Sequence, residues 1–351
     1  MAFRSTENLD IEDAVAERLR IILKEGLNIP ADEEKDELEL PPYYDPQKFK
    51  LAQITFYNNL FTMMIAKLSG LLTLLAIPSI LEILVFTKQS GTPCTAFRRY
   101  LSTILHTFVW YESEPQKQED FFRSLKTVRR KHCLVSRRCS KGGLRRITQR
   151  DMAITQFGFI GFTLLSAEEL GIKASEEEFD SLVHFWRVIG HMLGMQDKYN
   201  LCSGTVAECR TLCRGLLDDI FIPVLEKENK EFEQMAHILI EGLWPIIAFL
   251  EPKAYLAFTL QLATSATTNN NHSVTNDTAS LPLKSKILFN LQINVHKYLL
   301  QTRYWWSAIF RFCYNNLTRF AMFLTENFPF LAYLIFGKKQ SNVNIYKIHY
   351  E

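Results

Sequence analysis

The chain has 351 residues, 47% of them hydrophobic, and 40 Lys and Arg nearly balance 38 Asp and Glu. This composition excludes a disordered chain, and a formal net charge of +2 gives no general reason to expect nucleic acid. Seven scattered cysteines, an odd number at low density, argue against a disulfide scaffold.

The N-terminal region, 1–42, combines a short helix with an acidic linker. Apolar residues at helical spacing predict a helix over 9–25. The run ADEEKDELEL (31–40), followed by two prolines, indicates a solvated linker. The start of the chain is acidic and lacks the apolar run of a signal peptide. We therefore expect a protein that is not secreted, and that is cytoplasmic or on the cytosolic face of a membrane such as the ER.

The next two helices, expected over 46–66 and 68–88, raise the question of a membrane span. LSGLLTLLAIPSILEILVF (68–86) is about long enough to cross a bilayer. It also contains Glu82, and a carboxylate in mid-bilayer costs roughly 2.5–3.5 kcal/mol. A buried core helix, broken or kinked at Pro78, is therefore favoured over a spanning helix.

Helical spacing continues through the rest of the central region, and strand-like alternation is almost absent. We therefore expect an all-α fold, with a single large multi-helix domain over 43–300. Ser175 and Glu178 form a capping-box pattern before the helix expected at 175–194. The cysteines at 202, 209 and 213 are interpreted as small buried residues rather than as a metal site, since no His follows at finger-like spacing.

The C-terminal segment, 301–351, is an aromatic-rich amphipathic region with a helix expected over 302–335. Within it, 304–339 contains Trp305, Trp306 and the run FPFLAYLIF before two lysines. Such a segment suits a lipid interface, with the lysines on phosphates, so we consider peripheral membrane contact through 304–339. The alternative is a last amphipathic helix packed on the domain.

The region around FRSLKTVRRKHCLVSRR (122–138) concentrates positive charge, with no Asp or Glu between Arg123 and Arg150. Nucleic acid is not favoured, because no reading module appears and the charge run stops at Arg150. A solvated helix is the simplest account. A haem pocket makes a narrower demand, for an axial nitrogen, an apolar cavity and cations for two propionates.

Several blocks, in order, resemble one family. VRRKHCLVSRR (128–138) is similar to the His-bearing helix of the latex-clearing rubber oxygenases. TPCTAFRRYLSTILHTFVW, ITQRDMAITQFGFIGFTLL and AEELGIKASEEEFDSLVHFWRVIGHMLGMQDKYNLC resemble other blocks of the wider family, which includes the ER-bound fungal oxygenases of mycophenolic acid biosynthesis. The resemblance covers about 43–260. It implies a mostly helical fold and, as in the rubber oxygenases, a haem b between a His and the Lys of an Arg-x-x-Lys-Thr motif.

Two registers compete for that motif. RSLKT, with Arg123, Lys126 and Thr127, matches it letter for letter, but about thirty residues on, near Phe157, there is no His. RYLST keeps the Arg and Thr of the motif, replaces its Lys, and has a His about thirty residues on, inside the block that resembles the family's His helix. We prefer this second register, in which the three positions are Arg99, Ser102 and Thr103 and the His is His132.

By this resemblance, the metal ligand is His132, and Arg99 and Thr103 organise the other side of the pocket as catalytic residues. Arg99, Arg129 and Arg130 would also bind the cofactor, and Arg129 and Arg130, which flank the His, would meet its propionates. With Ser102 in place of the Lys, the distal side would be open, or filled by His106, one turn after Ser102. As an ordinary core or surface histidine, His132 would have no such role.

The resemblance implies a haem-dependent oxidoreductase, an oxygenase that uses dioxygen on an apolar, lipid-like or isoprenoid small molecule, with no nucleic-acid partner. The alternative is a non-catalytic lipid-binding or scaffold protein that keeps the fold without the haem. The substitution by Ser102 favours the alternative, and the retained Arg99, Thr103 and His132 favour the enzyme.

Overall fold

The computed structural model describes residues 6–33, 37–227, 229–268, 274 and 278–346. No strand occurs in these residues, where the nearest approach to one is an isolated bridge between Pro30 and Thr148. The all-α prediction is confirmed. The helices are α1 (Thr6–Arg20), α2 (Pro46–Asn58), α3 (Leu60–Leu75), α4 (Pro78–Thr87), α5 (Pro93–Glu112), α6 (Glu119–Lys141), α7 (Gln149–Leu165), α8 (Ala167–Leu170), α9 (Glu176–Met192), α10 (Val206–Leu216), α11 (Ile222–Leu225), α12 (Lys230–Leu243), α13 (Pro252–Ala266), α14 (Leu283–Asn294), α15 (Ser307–Asn327), α16 (Phe330–Phe336) and α17 (Lys338–Ser341).

Side chains at their first residues fix where several helices begin. The predicted capping box at α9 is confirmed, because Ser175 Oγ accepts from the Glu178 amide and Glu178 Oε2 accepts from the Ser175 amide. Each such pair satisfies two amides that the helix leaves unpaired. The same reciprocal pattern begins α5 at Thr92, α7 at Thr148 and α10 at Thr205.

Helix α3 forms the centre of the molecule and is buried along nearly its whole length against α7. The two backbones approach closely at Gly70 and Gly158, where a Cβ on Gly70 would overlap the Gly158 carbonyl. The prediction of a buried core helix broken at Pro78 is correct, since α3 ends at Leu75 and Pro78 begins α4.

Among the described residues, no single helix combines the length and the apolar character of a membrane span. Helices α2 and α3 together have the length and composition of a membrane span, although they are bent by 93° at their junction.

That junction corrects the expected helix over 46–66. The chain breaks at Asn59, between α2 and α3. The Asn59 amide donates to the Lys173 carbonyl at 2.9 Å, and its Oδ1 accepts from the Lys173 amide at 2.8 Å. Because this partner lies 114 residues away, local periodicity could not indicate the break.

The N-terminal region is packed onto the domain. Helix α1 contacts α10, and just beyond it Asp32 is 4% exposed and is bound by Ser136 Oγ and the Arg146 guanidinium. A solvated linker was therefore the wrong expectation for the start of 31–40, because part of the cationic stretch neutralises Asp32. Residues 34–36 of this segment lie outside the described residues.

The expected C-terminal helix over 302–335 is two helices, α15 and α16, separated at Phe328 and Pro329. Pro329 cannot continue the hydrogen bonding of α15, which explains the break. Helix α15 contacts α2 and α3, and α17 contacts α5, so this segment packs on the domain.

Candidate active site

Helices α5 and α6 pack against each other and hold every candidate site residue. Their interactions run in opposite chain order. His106 and Trp110 bond to Ser124, whereas the charge of Arg99, earlier on α5, lowers the pKa of His132, later on α6. The two helices are therefore antiparallel. The helical spacing places Arg99, Ser102, Thr103 and His106 along one side of α5.

His132 is half-buried on α6, and its surroundings favour the neutral imidazole. Its Nδ1 is buried and has no hydrogen-bond partner among the described residues. Burial, and then the positive charges of Arg99 and Lys131, lowers the pKa of His132 from 6.5 to about 4. A neutral imidazole with an unused nitrogen is the form in which histidine binds a metal.

On the facing side, Arg99 is partly buried, and its Nη1 donates to Thr87 Oγ1 at 3.2 Å. Burial lowers the pKa of Arg99, although a guanidinium stays charged at any ordinary pH. Thr103 Oγ1 donates to the Arg99 carbonyl at 3.2 Å within α5. Ser102, between them in sequence, offers a hydroxyl where the family motif has an amine.

His106 is used to hold α5 and α6 together. Its Nδ1 lies 2.8 Å from Ser124 Oγ, which also accepts from Trp110 Nε1 at 2.9 Å. Burial and the Lys131 charge lower the pKa of His106 to about 3. The Ile345 carbonyl is near enough to raise that pKa slightly, yet no hydrogen bond of ordinary geometry reaches the buried Nε2.

The two arginines beside His132 have different surroundings. Arg129 is buried, and its guanidinium donates to the carbonyls of Glu33 and Met192. These bonds join α6 to the N-terminal segment and to the end of α9. Arg130 is exposed. Propionate binding by either residue stays a prediction, and in this structure the Arg129 donors are already engaged by main-chain carbonyls.

The residues of the two sequence registers have different surroundings. Lys126 is exposed on α6, whereas His132 has a buried ring nitrogen on the same helix. Phe157, where the first register wants a histidine, is fully buried in α7. The side chain of Lys126 is therefore exposed, whereas Arg99 of the second register lies near enough to His132 for its charge to lower the pKa of that ring. The choice between the registers stays a prediction.

The C-terminal segment covers the α5–α6 pair. Lys131 Nζ donates to the Ile345 carbonyl at 3.2 Å, and the Arg123 guanidinium lies 4.0 Å from the Tyr346 ring centroid. The Tyr346 ring also meets the His106 ring edge-on, with centroids 6.3 Å apart. These contacts place the chain end beside the candidate site.

The candidate residues meet some of the needs of a haem and not others. No group of three or more His, Cys, Asp or Glu in the described ranges could hold a metal ion. A haem needs one axial side chain, and the buried, unpaired nitrogen of His132 can supply it. The charge of Arg99 suits a propionate, whereas Ser102 cannot replace the amine of the motif.

Sequence reasoning missed one buried amine, Lys67 on α3. Its Nζ is buried without a hydrogen-bond partner and lies 4.4 Å from the ring centroid of Phe56 and 4.7 Å from that of Tyr111. Burial lowers the pKa of Lys67 well below 10.5. The only signal in the sequence is its place inside the apolar run LFTMMIAKLSGLLTLL.

Comparison with known proteins agrees with the fold. The chain resembles the solved structure of latex clearing protein LCP in the closed state, with a TM-score of 0.54 and 16% identity over 89% of this chain and 90% of that chain. No curated protein matches the chain significantly by sequence.

The model of one family, described as ER-bound oxygenase mpaB/B'/rubber oxygenase, catalytic domain, matches residues 55–268. This match includes α5 and α6 entirely, and with them all the candidate residues. The chain therefore belongs to the mpaB and rubber oxygenase catalytic-domain family, as the sequence blocks predict, and its family assignment is that of an oxygenase.

Proposed function

We propose that the protein is a haem-dependent oxidoreductase that uses dioxygen on an apolar, lipid-like or isoprenoid substrate. The proposal rests chiefly on one observation: half-buried His132 has a buried Nδ1 without a hydrogen-bond partner among the described residues, and the charge of Arg99 on the facing helix helps to lower the pKa of this ring. Family membership supports the oxygenase class and the apolar substrate.

A haem b held at His132 would supply the redox chemistry that activates dioxygen. The protein's own residues would hold and orient that group. His132 would donate a ring nitrogen, which its low pKa keeps unprotonated at neutral pH. Arg99 would face a propionate, and Thr103, bonded to the Arg99 carbonyl, would help to fix the first turns of α5.

The packing of the pair would also exclude water from this site. Trp110, His106 and Ser124 join α5 to α6 by hydrogen bonds in the interior, and Tyr346 lies against the His106 ring. A dry, preorganised pocket strengthens every electrostatic contact with a bound cofactor.

Titration of haemin into the purified protein tests this assignment. We expect a Soret band that saturates with haemin in the wild type and is lost or strongly weakened in His132→Ala. Lys126→Ala is the matched control on the same helix and should leave the band nearly unchanged, because Lys126 is exposed. A shifted band in Lys126→Ala with a normal band in His132→Ala would show that the first register is correct.

The alternative is a lipid-binding or scaffold protein that keeps the fold without the haem. Two observations favour it: Ser102 replaces the motif lysine, and the Arg129 donors are engaged by main-chain carbonyls. This alternative predicts that haemin produces no saturable band in the wild type, while helix content is normal by circular dichroism.

A further inference from the structure

The last helices of the chain expose large apolar side chains. Phe312 and Phe320 on α15 are 70% and 56% exposed, and Leu334 on α16 is 83% exposed. Patches of this kind on a soluble protein mark an interaction site. We call the following set the C-terminal apolar face: Trp305, Ile309, Phe312, Leu317, Phe320, Phe323, Phe328, Phe330, Leu331, Leu334 and Ile335.

The face continues from α15 to α16. The ring centroids of Phe323 and Phe328 are 6.2 Å apart, and those of Phe328 and Phe330 are 6.1 Å apart. The two helices also contact each other directly. The exposed side chains at the end of α15 and the start of α16 are therefore neighbours in space.

Helix α15 has the reverse of the usual polarity. Its buried side includes Arg311, whose guanidinium donates to the Gly171 carbonyl at 2.6 Å, and Asn315, which donates to the Asn58 carbonyl at 2.8 Å and accepts from the Phe61 amide. Ser307 and Thr325 are buried on the same side. A surface helix in water normally buries its apolar stripe and exposes its polar side. Here polar groups anchor the helix and most of the aromatic side chains face outward.

The same part of the chain is strongly cationic. Between Leu281 and Tyr346 the sequence contains eight Lys or Arg and one acidic residue, Glu326. Lys338 and Lys339 are exposed directly after α16, and Arg319 is exposed on α15 itself. Basic residues clustered beside an apolar surface attract anionic lipid headgroups.

We propose that the C-terminal apolar face docks the protein onto a membrane surface that contains anionic lipid. Aromatic side chains would enter the headgroup and upper acyl region, and the lysines after α16 would meet lipid phosphates. A second copy of the chain is the less favoured occupant, because two identical faces would bring like charges together. The inference does not depend on whether the protein binds haem.

Cosedimentation of the full chain with vesicles tests the proposal. We expect binding to phosphatidylcholine vesicles containing about one third phosphatidylserine to be at least about tenfold tighter than to phosphatidylcholine alone, and to weaken as salt rises. Fluorescence of the exposed Trp305 should shift to shorter wavelength on binding. Absence of binding to both vesicle types would overturn the proposal.

A matched pair of single variants tests the apolar contribution. Phe312→Ser should weaken vesicle binding about tenfold or more, because a buried phenyl ring contributes on the order of a tenfold factor or greater. Phe249→Ser is the control, since Phe249 lies outside α15 and α16 and is 77% exposed. Equal binding by both variants would contradict the assignment of this face, provided that circular dichroism shows the same helix content.

A second matched pair tests the charge. Lys338→Glu with Lys339→Glu should reduce binding to anionic vesicles at least about tenfold and have little effect on neutral vesicles. Lys227 and Lys230 are also exposed but lie outside the C-terminal apolar face. Lys227→Glu with Lys230→Glu should therefore change binding to neither anionic nor neutral vesicles. If instead the wild type forms a concentration-dependent dimer that Phe312→Ser abolishes, and binds no vesicles, the face is a self-association surface and the membrane proposal is wrong.

Discussion

At the scale of single residues, burial disfavours the charged forms of several ionisable side chains. Burial lowers the pKa of His296 to about 4, and also lowers those of His132 and Lys67. The physical reason is the same in each case: the charged form loses hydration that the protein does not replace. Because the pKa of each group is lower in the folded than in the unfolded protein, each group makes the free energy of unfolding depend on pH.

His296 shows how a neutral ring can be held. Its Nδ1 lies 2.9 Å from the Leu170 carbonyl and its Nε2 lies 3.0 Å from Gln292 Nε2. The ring is stacked between Phe61 and Phe258, at centroid distances of 5.9 and 5.5 Å. Only the tautomer with a proton on Nδ1 can donate to the carbonyl and accept from the amide.

We therefore expect acid to weaken the fold through His296. Its folded pKa is about 4 and its ordinary value is 6.5, so its contribution is fully present above 6.5 and is lost as pH falls through 4. His296→Gln, which cannot titrate, should reduce this loss in the free energy of unfolding by roughly 3 kcal/mol. Urea unfolding at several pH values measures the free energy of unfolding of the wild type and of the variant. Identical pH profiles for the two proteins would contradict the role of His296 in acid sensitivity.

Lys67 presents a competition between two effects. The rings of Phe56 and Tyr111 stack 3.8 Å apart, so a nitrogen 4.4 and 4.7 Å from their centroids lies beside the stack, at the ring edges. Ring edges are partly positive, which weakens any cation–π attraction. That attraction is worth about 2 kcal/mol at best when desolvated, whereas burying an unpaired ammonium costs several kcal/mol. Burial therefore favours the neutral amine over the ammonium in the folded protein.

Lys67→Met should consequently stabilise the protein. Methionine keeps the length of the side chain and removes a buried amine without a partner, so we expect the free energy of unfolding at neutral pH to rise by about 1–3 kcal/mol. Lys50→Met, on the exposed side of α2, is the control and should change stability little. A strong destabilisation by Lys67→Met would show that the ammonium is charged and bound by the rings.

At the scale of elements, α15 and the α2–α3 junction depend on side chains that bond to distant backbone. Arg311 reaches Gly171, and Asn59 reaches Lys173. In both cases a polar side chain satisfies main-chain groups where helices end. These bonds decide where α2 stops and which side of α15 faces the domain.

Arg311→Leu should therefore destabilise the protein even though it makes α15 more apolar. The Gly171 and Leu300 carbonyls would lose their donor, and each buried unsatisfied group costs roughly 1–3 kcal/mol. Arg319→Leu, on the exposed side of the same helix, should change stability by about 0.5 kcal/mol or less. Equal thermal unfolding of the two variants would contradict the anchoring role of Arg311.

At the scale of the whole molecule, features set by nearby residues could be predicted from the sequence. Helical periodicity gave the all-α fold, and the Ser175 and Glu178 pair gave the start of α9. The apolar run before Pro78 gave the buried helix α3. Each of these depends on residues within a few turns of one another.

Features that depend on distant partners could not be predicted in the same way. The break at Asn59 needs Lys173, and the burial of Asp32 needs Arg146. Arg129 could be named as a cofactor ligand from its place beside His132, but its bonds to Glu33 and Met192 follow from tertiary packing. The surroundings of Arg129 therefore lay beyond what its place in the sequence could predict, and the roles of His132 and Arg99 stay predictions.

The absorbance spectrum of wild-type protein, purified after expression with a haem precursor and assayed as its pyridine haemochrome, tests the central claim most directly. The proposed site predicts a Soret band and about one haem b per chain, because His132 provides a single axial ligand. A protein of normal helix content with no Soret band would contradict the claim, and His132 would then be a buried structural histidine.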